Sequence, residues 1–383
     1  MAAPEPYELL ARLGASARPA GSAAEADARR YCAEALSSNG FEVFERPFTY
    51  SAFPGMWGTP LIGIALVLTA TVTVFSLLHA STSESAIVVC ALGLVVVLAI
   101  CGWWLGRYGT HCLPLMRRAG INLEARRGEP AVWLVAHLDS KSQPISLLTR
   151  AGASIAVLGF WLAVLIALAS SRFVQIPVAV FVVLAACAGL AAVPLAIALT
   201  GSKGSGVLDN ASGVASIIVA ARRMGAELPV GLVITSAEEL GLAGARAWVQ
   251  GKRCGLAINC DGVDDRGELT LTASGAGREF VSGSILGPVS GRKVRFRRNL
   301  PGVLLDSTAF SDSGWVACTV SQGRLQSLGR IHTRRDCLDE CSGAGIERAA
   351  ELIAALAGAI IAGEVSPHLE TGVQEVHETA TSE

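Results

Sequence analysis

Four long apolar stretches interrupt this chain of 383 residues and constrain its fold more than any other feature. Residues 47–83 contain no Asp, Glu, Lys or Arg and have an apolar centre at Trp57–Leu78; the other stretches are Ala86–Leu105, Gly152–Ser170 and Ile176–Leu199. A helix needs about 20 apolar residues to cross a bilayer. Four helices buried in a globular core would need almost no polar face. We therefore predict two transmembrane helical hairpins.

The composition agrees with a membrane protein that carries soluble parts. The chain is 51% hydrophobic and 16% charged, with a mean hydropathy of +0.49, whereas soluble chains have about 25% charged residues. A net charge of −1, without a basic stripe, predicts no nucleic-acid partner. Residues 1–19 lack an apolar run, so we expect no signal peptide. Ten cysteines without a CxxC pair predict reduced thiols.

Two hairpins return the chain to the same side of the membrane each time, so the soluble segments share one compartment. Lys and Arg near the ends of spans favour the cytoplasmic side. Only Arg172 flanks the spans on the opposite side, whereas seven basic residues flank the soluble segments: Arg46, Arg107, Arg117, Arg118, Lys141, Arg150 and Lys203. The charge distribution predicts a cytoplasmic location for these segments.

The soluble segments have the pattern of an α/β fold. A helix is predicted after Ser22, with a Ser22–Glu25 capping box, and the runs Ala131–Ala136 and Val230–Thr235 are typical of strands buried on both faces. Strands that alternate with helices predict a mostly parallel, doubly covered sheet. We divide the chain into a helix and strand (1–50), hairpin 1 (56–106), a strand segment (107–150), hairpin 2 (151–200), the main soluble domain (201–364) and an acidic tail expected to be disordered (365–383).

Polar residues follow the apolar strands at the points where the strands end. AVWLVA runs into His137 and Asp139, VGLVITSA into the pair Glu238–Glu239, and GLAIN into Asp261. Ligands bind at the carboxyl ends of parallel strands, so these side chains are expected at one rim of the sheet. Asp209 in a glycine-rich loop and His332 in RIHTRRDCLD could join them.

Each of these residues alone has an ordinary structural explanation, such as a helix cap or a solvated turn. Together they supply imidazole, carboxylate, a carboxylate pair, carboxylate and imidazole, in that order. Zinc takes nitrogen and oxygen ligands and keeps one position for water at a catalytic site. Two private ligands for each ion and one bridging carboxylate are the needs of a two-zinc site. The pattern predicts two Zn²⁺ ions.

The motifs HLDS, GVLDNASGVA, AEELGLAGARAWV, INCDG and IHTRRDCLD resemble, in order, those of the bacterial leucine aminopeptidase and glutamate carboxypeptidase-like family of co-catalytic di-zinc exopeptidases. The resemblance covers nearly all of the soluble sequence, including the first helix and strand. It implies a zinc-exopeptidase-like fold, a peptide substrate and, with the predicted hairpins, attachment to the lipid bilayer.

The resemblance also implies the roles of single residues. His137 and Asp261 would hold one zinc ion, Glu239 and His332 the other, and Asp209 would bridge them. These three further roles are implied: Glu238 as general base, Asp139 as the residue that orients His137, and Asn210 as the residue that keeps the turn at Asp209.

This chain departs from that family in three respects. Two hairpins are inserted, so that Asp139 and Asp209 are 209 − 139 = 70 residues apart. Many members have a tyrosine before the last histidine, where this chain has Ile331. Known members mostly work outside the cytoplasm, against the charge distribution. The sequence predicts an aminopeptidase, with three alternatives open: carboxypeptidase or dipeptidase activity, glutaminyl cyclisation or deacetylation on the same site, and a non-catalytic scaffold.

Overall fold

The strands of this chain form one mixed sheet. The structure is a computed structural model that describes residues 5–79, 83–273, 275–280, 293–299 and 302–363, so the tail predicted at 365–383 lies outside the described residues. Eight described strands pair in the order β1-β2-β4-β3-β5-β8-β6-β7. Their bounds are β1 Glu42–Ser51, β2 Arg117–Arg127, β3 Val132–His137, β4 Val230–Thr235, β5 Leu256–Val263, β6 Glu268–Ala273, β7 Val294–Arg298 and β8 Val316–Gly323.

The centre of the sheet is parallel and its flanks are partly antiparallel. Strands β4, β3, β5 and β8 run parallel to one another. On one flank β2 is antiparallel to β4, and β1 is antiparallel to β2. On the other flank β6 is antiparallel to β8 and parallel to β7. The predicted parallel arrangement therefore describes the central block. The candidate metal ligands and base predicted from the sequence lie at the carboxyl ends of these central strands.

Twelve described α-helices complete the fold. Residues on α7 and α12 pack with residues of β3, β4 and β5 in the main core. A second, aromatic core on the other face contains Trp133, Trp248, Phe310 and Trp315. The helices are α1 Pro6–Leu13, α2 Ala23–Ser37, α3 Thr59–His79, α4 Glu84–Cys112, α5 Leu147–Ser170, α6 Val178–Ala196, α7 Ser212–Arg223, α8 Ala243–Val249, α9 Ala276–Glu279, α10 Asp306–Asp312, α11 Leu325–Leu328 and α12 Ala344–Ile361.

The predicted start of helix α2 is correct, but the capping box is only half formed. The Ser22 side chain accepts a hydrogen bond from the backbone N–H of Glu25 at 3.2 Å. The Glu25 carboxylate does not return to Ser22. It accepts instead from the N–H of Gly21 and from the hydroxyl of Ser236, both at 2.6 Å. Tertiary contact with the turn after β4 has replaced the local cap.

The four predicted apolar stretches form four helices that are long and apolar enough to cross a membrane. Hairpin 1 consists of α3, preceded by a π-helical turn at Pro54–Gly58, and α4; hairpin 2 consists of α5 and α6. Helices α3 and α6 approach closely at Gly63, where an added Cβ would lie 2.3 Å from the backbone nitrogen of Ala196. Small residues allow such close packing of membrane helices.

Helix α4 extends seven residues beyond the predicted end of its span at Leu105, to Cys112. In this extension Arg107 forms an ion pair of 2.9 Å with Asp312 of helix α10. The helix therefore continues from the apolar bundle to the domain that contains the sheet. Its polar end makes contacts that a span bounded by hydropathy does not predict.

Candidate metal centre

Six residues predicted from the sequence as metal ligands or base converge at the carboxyl edge of the central strands. His137 is the last residue of β3, Asp261 lies near the end of β5, and the pair Glu238–Glu239 follows β4. Asp209 lies in a turn before α7, and His332 lies in a loop between α11 and α12. All except Asp209 and Asp261, which are partly exposed, are buried.

The carboxylate of Asp209 lies between two imidazole rings. Its Oδ1 is 3.0 Å from Nε2 of His137, and its Oδ2 is 3.0 Å from Nε2 of His332. A carboxylate in this position can give one oxygen to each of two neighbouring ions. The bridging role that the resemblance implies for Asp209 needs a carboxylate that faces both histidines, as this one does.

The remaining ligand-type atoms divide into two groups around Asp209. Atoms of His137, Glu238 and Asp261 lie within 4.8 Å of one another, and so do atoms of Asp209, Glu239 and His332. We call these the first group and the second group. Asp209 Oδ1 also faces the first group through His137, so the two groups are contiguous.

Asp209 is held by a turn whose supports come from distant segments. Gly206 has φ +60°, and an added Cβ would lie 2.5 Å from Cβ of Ser140, so only glycine fits there. Asn210 donates to the carbonyl of Cys260 at 2.9 Å and accepts from the N–H of Gly213 at 2.9 Å. Asn210 thus keeps the turn, as the resemblance implied.

Asp336 is a support of this turn to which the sequence analysis gave no role. Its carboxylate accepts hydrogen bonds from the backbone N–H groups of Leu208, at 2.7 Å, and Asp209, at 3.2 Å. It is buried, and burial raises its pKa to about 6 although these two N–H groups oppose the shift. Its position four residues after His332, in the motif that carries this histidine, was the available signal.

Glu238 and Glu239 lie on a short helical turn after strand β4, and their side chains point in different directions there. Strand β4 ends at Thr235, Ala237 has φ +58°, and Glu238–Leu240 is a 3₁₀ turn. Successive side chains of a 3₁₀ helix point about 120° apart. Asp139 fixes this turn, because its carboxylate accepts from the backbone N–H groups of Glu238, at 3.0 Å, and Glu239, at 3.2 Å.

His137 is oriented by the backbone of Asp139 rather than by its carboxylate. Nδ1 of His137 donates to the Asp139 carbonyl at 3.0 Å, while the nearest carboxylate oxygen is 3.7 Å away. In the neutral ring Nε2 then carries the lone pair. That lone pair faces the carboxylates of Asp209 and Asp261, at 3.0 and 3.8 Å.

Two buried atoms of the site lack a hydrogen-bond partner in the part of the chain that the structure describes, and they are suited to bind a metal ion. Nε2 of His137 and Oε1 of Glu239 are buried without a hydrogen-bond partner among the described residues. A lone pair and carboxylate oxygens repel one another unless a cation lies between them. Imidazole nitrogen and carboxylate oxygen are ligands that suit zinc. The residues present therefore fit zinc.

The electrostatics of the two glutamates differ. Burial raises the pKa of Glu238 well above its ordinary value; Glu239 and Asp261 add to this effect, and His137 opposes it. Burial also acts to raise the pKa of Glu239, but Lys141 and His332 outweigh it and lower that pKa to about 2. Nζ of Lys141 lies 2.5 Å from Oε2 of Glu239. The motif HLDSK contains this lysine but does not predict the ion pair.

A cavity of about 220 Å³ opens beside Glu239. It is lined by Lys141, by Arg118 of β2, and by Met56 and Thr200 from the segments that join the hairpins to the sheet. Another buried carboxylate near the site, Asp306, accepts from the Thr235 hydroxyl at 2.5 Å. Burial raises the pKa of Asp306 to about 7. In the sequence, Asp306 has no signal beyond that of an ordinary helix start.

Comparison with solved structures shows the fold. The chain is 14% identical to an aminopeptidase from Aneurinibacillus sp. strain AM-1, with a TM-score of 0.52 over 94% of this chain and 93% of the other. It is 12% identical to BSAP, a zinc aminopeptidase from Bacillus subtilis, with a TM-score of 0.52 over 92% and 93%. A glutaminyl cyclase from Porphyromonas gingivalis is 12% identical, with a TM-score of 0.50 over 94% and 97%.

Comparison with curated protein sequences finds no match. The sequence profile of peptidase family M28 matches residues 121–357, which is more than half of the chain and includes the whole candidate centre. The strand ends, the glutamate pair and the last histidine all lie within this match. The chain therefore belongs to peptidase family M28, a family of zinc-dependent peptidases.

Proposed function

We propose that this protein is a membrane-anchored aminopeptidase that uses two zinc ions. The position of Asp209 between two groups of ligand atoms carries the proposal, because one carboxylate faces both histidines at 3.0 Å. Separations of ~3.5–4 Å between metals are typical of two-metal hydrolases. The fold shared with two aminopeptidases favours hydrolysis from the amino end.

Each ion would have its own ligands and share Asp209. His137 and Asp261 would hold one ion, and Glu239 and His332 the other. Glu238 also belongs to the first group by distance and could be a ligand there, but we assign it the role of base. Its backbone N–H donates to the Asp139 carboxylate at 3.0 Å, which fixes the turn that carries this side chain.

The chain's own residues would supply the proton transfers. Zinc bound at the two groups would polarise a scissile carbonyl and lower the pKa of bound water. Glu238 takes a proton from the attacking water and passes it to the leaving amine. Burial raises the pKa of Glu238, which makes its carboxylate a stronger proton acceptor.

The hairpins would anchor this domain to a lipid bilayer. Strand β1 precedes hairpin 1, strands β2 and β3 lie between the hairpins, and β4 follows hairpin 2. All four belong to one sheet, which supports a location of the soluble segments on one side of the membrane. The basic residues near the span ends support the cytoplasmic side.

Cyclisation of amino-terminal glutamine is the second candidate function. The structural likeness to a glutaminyl cyclase supports it, and that reaction also acts at the amino end of a peptide. Carboxypeptidase or dipeptidase activity is a variant of the first proposal. A non-catalytic scaffold is less well supported, because all five ligands and Glu238 are retained.

Metal analysis of the purified protein together with a panel of reporter peptides tests the proposal. We expect about two zinc ions per chain, release of residues from aminoacyl reporters, and loss of activity with a chelator. His137→Ala with Asp261→Ala should lose metal. Full zinc binding by this double variant would refute the ligand assignment, and cyclised glutaminyl peptides without hydrolysis would favour the second candidate.

A further inference from the structure

We infer that the two hairpins position two ligands of the second group, Glu239 and His332, so that metal binding there depends on how the hairpins pack. This inference rests on the proposed two-zinc site. It concerns three contact points: Gln143 and Leu147 at the start of hairpin 2, and Gly55 at the start of hairpin 1.

His332 depends on its backbone for its orientation. Its Nδ1 has no hydrogen-bond partner among the described residues, whereas Nδ1 of His137 is held by a carbonyl. Metal-bound histidines usually have such a partner on the second nitrogen. His332 also has φ +65°, a left-handed conformation that a residue with a Cβ adopts only where its surroundings hold it.

Hairpin 2 provides that support. The N–H of Gln143 donates to the His332 carbonyl at 2.7 Å, and the N–H of Leu147 donates to the Ile331 carbonyl at 3.3 Å. Leu147 is the first residue of α5, so its N–H has no partner within the helix. The first helix of hairpin 2 therefore bonds directly to the loop that carries a metal ligand.

Gln143 also ties together the two ends of hairpin 2. Its side-chain amide donates to the carbonyl of Ala198, just after α6, at 3.0 Å, and its side-chain oxygen accepts from Arg150 of α5 at 3.0 Å. Ser142 and Gly201 exchange two backbone hydrogen bonds, at 3.0 and 2.7 Å, beside it. A shift of α5 against α6 would consequently move the His332 loop.

Hairpin 1 supports the other ligand of the second group. Gly55 packs against the backbone of Leu240, the residue after Glu239, where an added Cβ would lie 2.3 Å from Cα of Leu240. Thr200, at the exit of hairpin 2, donates to the carbonyl of Gly55 at 3.2 Å. Hairpin 1 thus packs on the 3₁₀ turn that bears Glu239, and the exit of hairpin 2 is bonded to hairpin 1 at that point.

The first group has different supports. His137 and Asp261 lie on the adjacent parallel strands β3 and β5 in the centre of the sheet. The structure therefore assigns unequal dependence to the two groups: the sheet holds the ligand pair of the first, and the hairpins hold two ligands of the second.

Two substitutions separate this inference from a general loss of folding. Leu147→Pro removes one N–H, and proline is tolerated at the first position of a helix. Ser146 already has the extended backbone that a residue before proline prefers, with φ −73° and ψ 162°. Leu147→Ala keeps the N–H and is the matched control. Gly55→Ala disturbs the contact with Leu240, and its control is Gly102→Ala, which meets only Ile62 at 3.8 Å.

The experiment measures zinc bound per full-length chain in phospholipid nanodiscs, by competition with a chelator of known affinity. Wild type and both controls should bind two zinc ions. Leu147→Pro and Gly55→Ala should each keep one ion at unchanged affinity and bind the other about 10–100-fold more weakly, as changes behind a metal ligand do.

Three results would overturn the inference. Unchanged binding of both ions by Leu147→Pro and Gly55→Ala would show that the hairpins do not position the second group and would leave the proposed function intact. Equal weakening of both ions would contradict the unequal dependence. A wild-type protein that binds no zinc would refute the proposed function, and this inference with it.

Discussion

Nζ of Lys141 lies 2.5 Å from Oε2 of Glu239, on the side of this carboxylate that faces away from His332. The lysine thus neutralises one oxygen of a proposed zinc ligand while the other oxygen, Oε1, is buried without a hydrogen-bond partner among the described residues. The sequence HLDSK shows a charged residue after the first ligand motif, but only the folded chain gives it this partner.

Lys141→Met should destabilise the zinc-free protein more than the zinc-bound protein. Removal of one partner of a buried ion pair costs about 3–5 kcal/mol, because the other charge is left uncompensated. Zinc would compensate Glu239 in place of the lysine. We therefore expect zinc to raise the melting temperature of the variant more than that of wild type. An equal rise in both proteins would contradict the proposed contact between Glu239 and the metal.

Glu238→Gln and Glu239→Gln should have different effects. The first keeps the size of the base and removes its basicity, so it should bind zinc normally while kcat falls by ~10²–10⁴-fold. The second should weaken one zinc ion and recover partly in excess zinc. Turnover of reporter peptides and zinc content measure both. Exchanged phenotypes would mean that base and ligand are assigned the wrong way round, and two silent substitutions would refute the peptidase.

Asp336→Ala should weaken zinc binding although Asp336 is not a proposed ligand. The carboxylate accepts from the N–H groups of Leu208 and Asp209, and its loss frees the turn that aims Asp209. Changes behind a ligand typically cost 10–100-fold in affinity. Chelator competition measures the effect, and exposed Asp339→Ala is the control. Unchanged affinity would show that Asn210 and Gly206 hold the turn by themselves.

Glu124 should contribute to stability in a way that disappears in acid. Burial acts to raise its pKa, but hydrogen bonds from Arg46, Trp248 and Lys252 lower it from 4.5 to about 2. A lowered carboxyl pKa gives stability that is present above pH 4.5 and is lost as the pH falls towards 2.

Glu124→Gln should therefore lower the melting temperature at pH 6, and the difference from wild type should shrink progressively below pH 4.5. Glu45→Gln is the control, because Glu45 is mostly exposed and pairs only with Arg29 among the described residues. If the difference in melting temperature between Glu124→Gln and wild type stayed constant from pH 6 to pH 3, the substitution would act through packing rather than through charge.

The charges near the span ends predict the orientation of the protein. A reporter inserted within residues 81–85, between α3 and α4, should read as external, and one at the carboxyl terminus as cytoplasmic. The reverse result would move the proposed active site to the external face without changing its chemistry. If the soluble segments before and after one hairpin lay on opposite sides of the membrane, they could not both contribute strands to the single sheet.

The helical hairpins could be predicted from the sequence because their signal is local. Charge-free apolar runs of the required length allow few other folds, and all four are helical. The apolar run of the second span ends at Leu105, whereas helix α4 continues to Cys112. In this extension Arg107 pairs with Asp312 of the sheet domain, and hydropathy does not record such a contact.

The sequence by itself determined the residue types of the candidate centre and the edge of the sheet at which they meet. His137 and Asp261 lie near the ends of apolar strands and Glu238 follows one, and parallel strands end at one rim. Their local order was enough to predict the ligand set and its resemblance to a family.

Only the tertiary structure decided how those side chains are aimed. Glu25 leaves its capping box for Ser236, which is 211 residues away in the chain, and Asp139 holds the glutamate turn from 99 residues away. His332 is held through hydrogen bonds from the start of hairpin 2, from which most of the main soluble domain separates it along the chain. Such partners are unpredictable from local patterns, because a hydrogen bond depends on distance in space and not on separation along the chain.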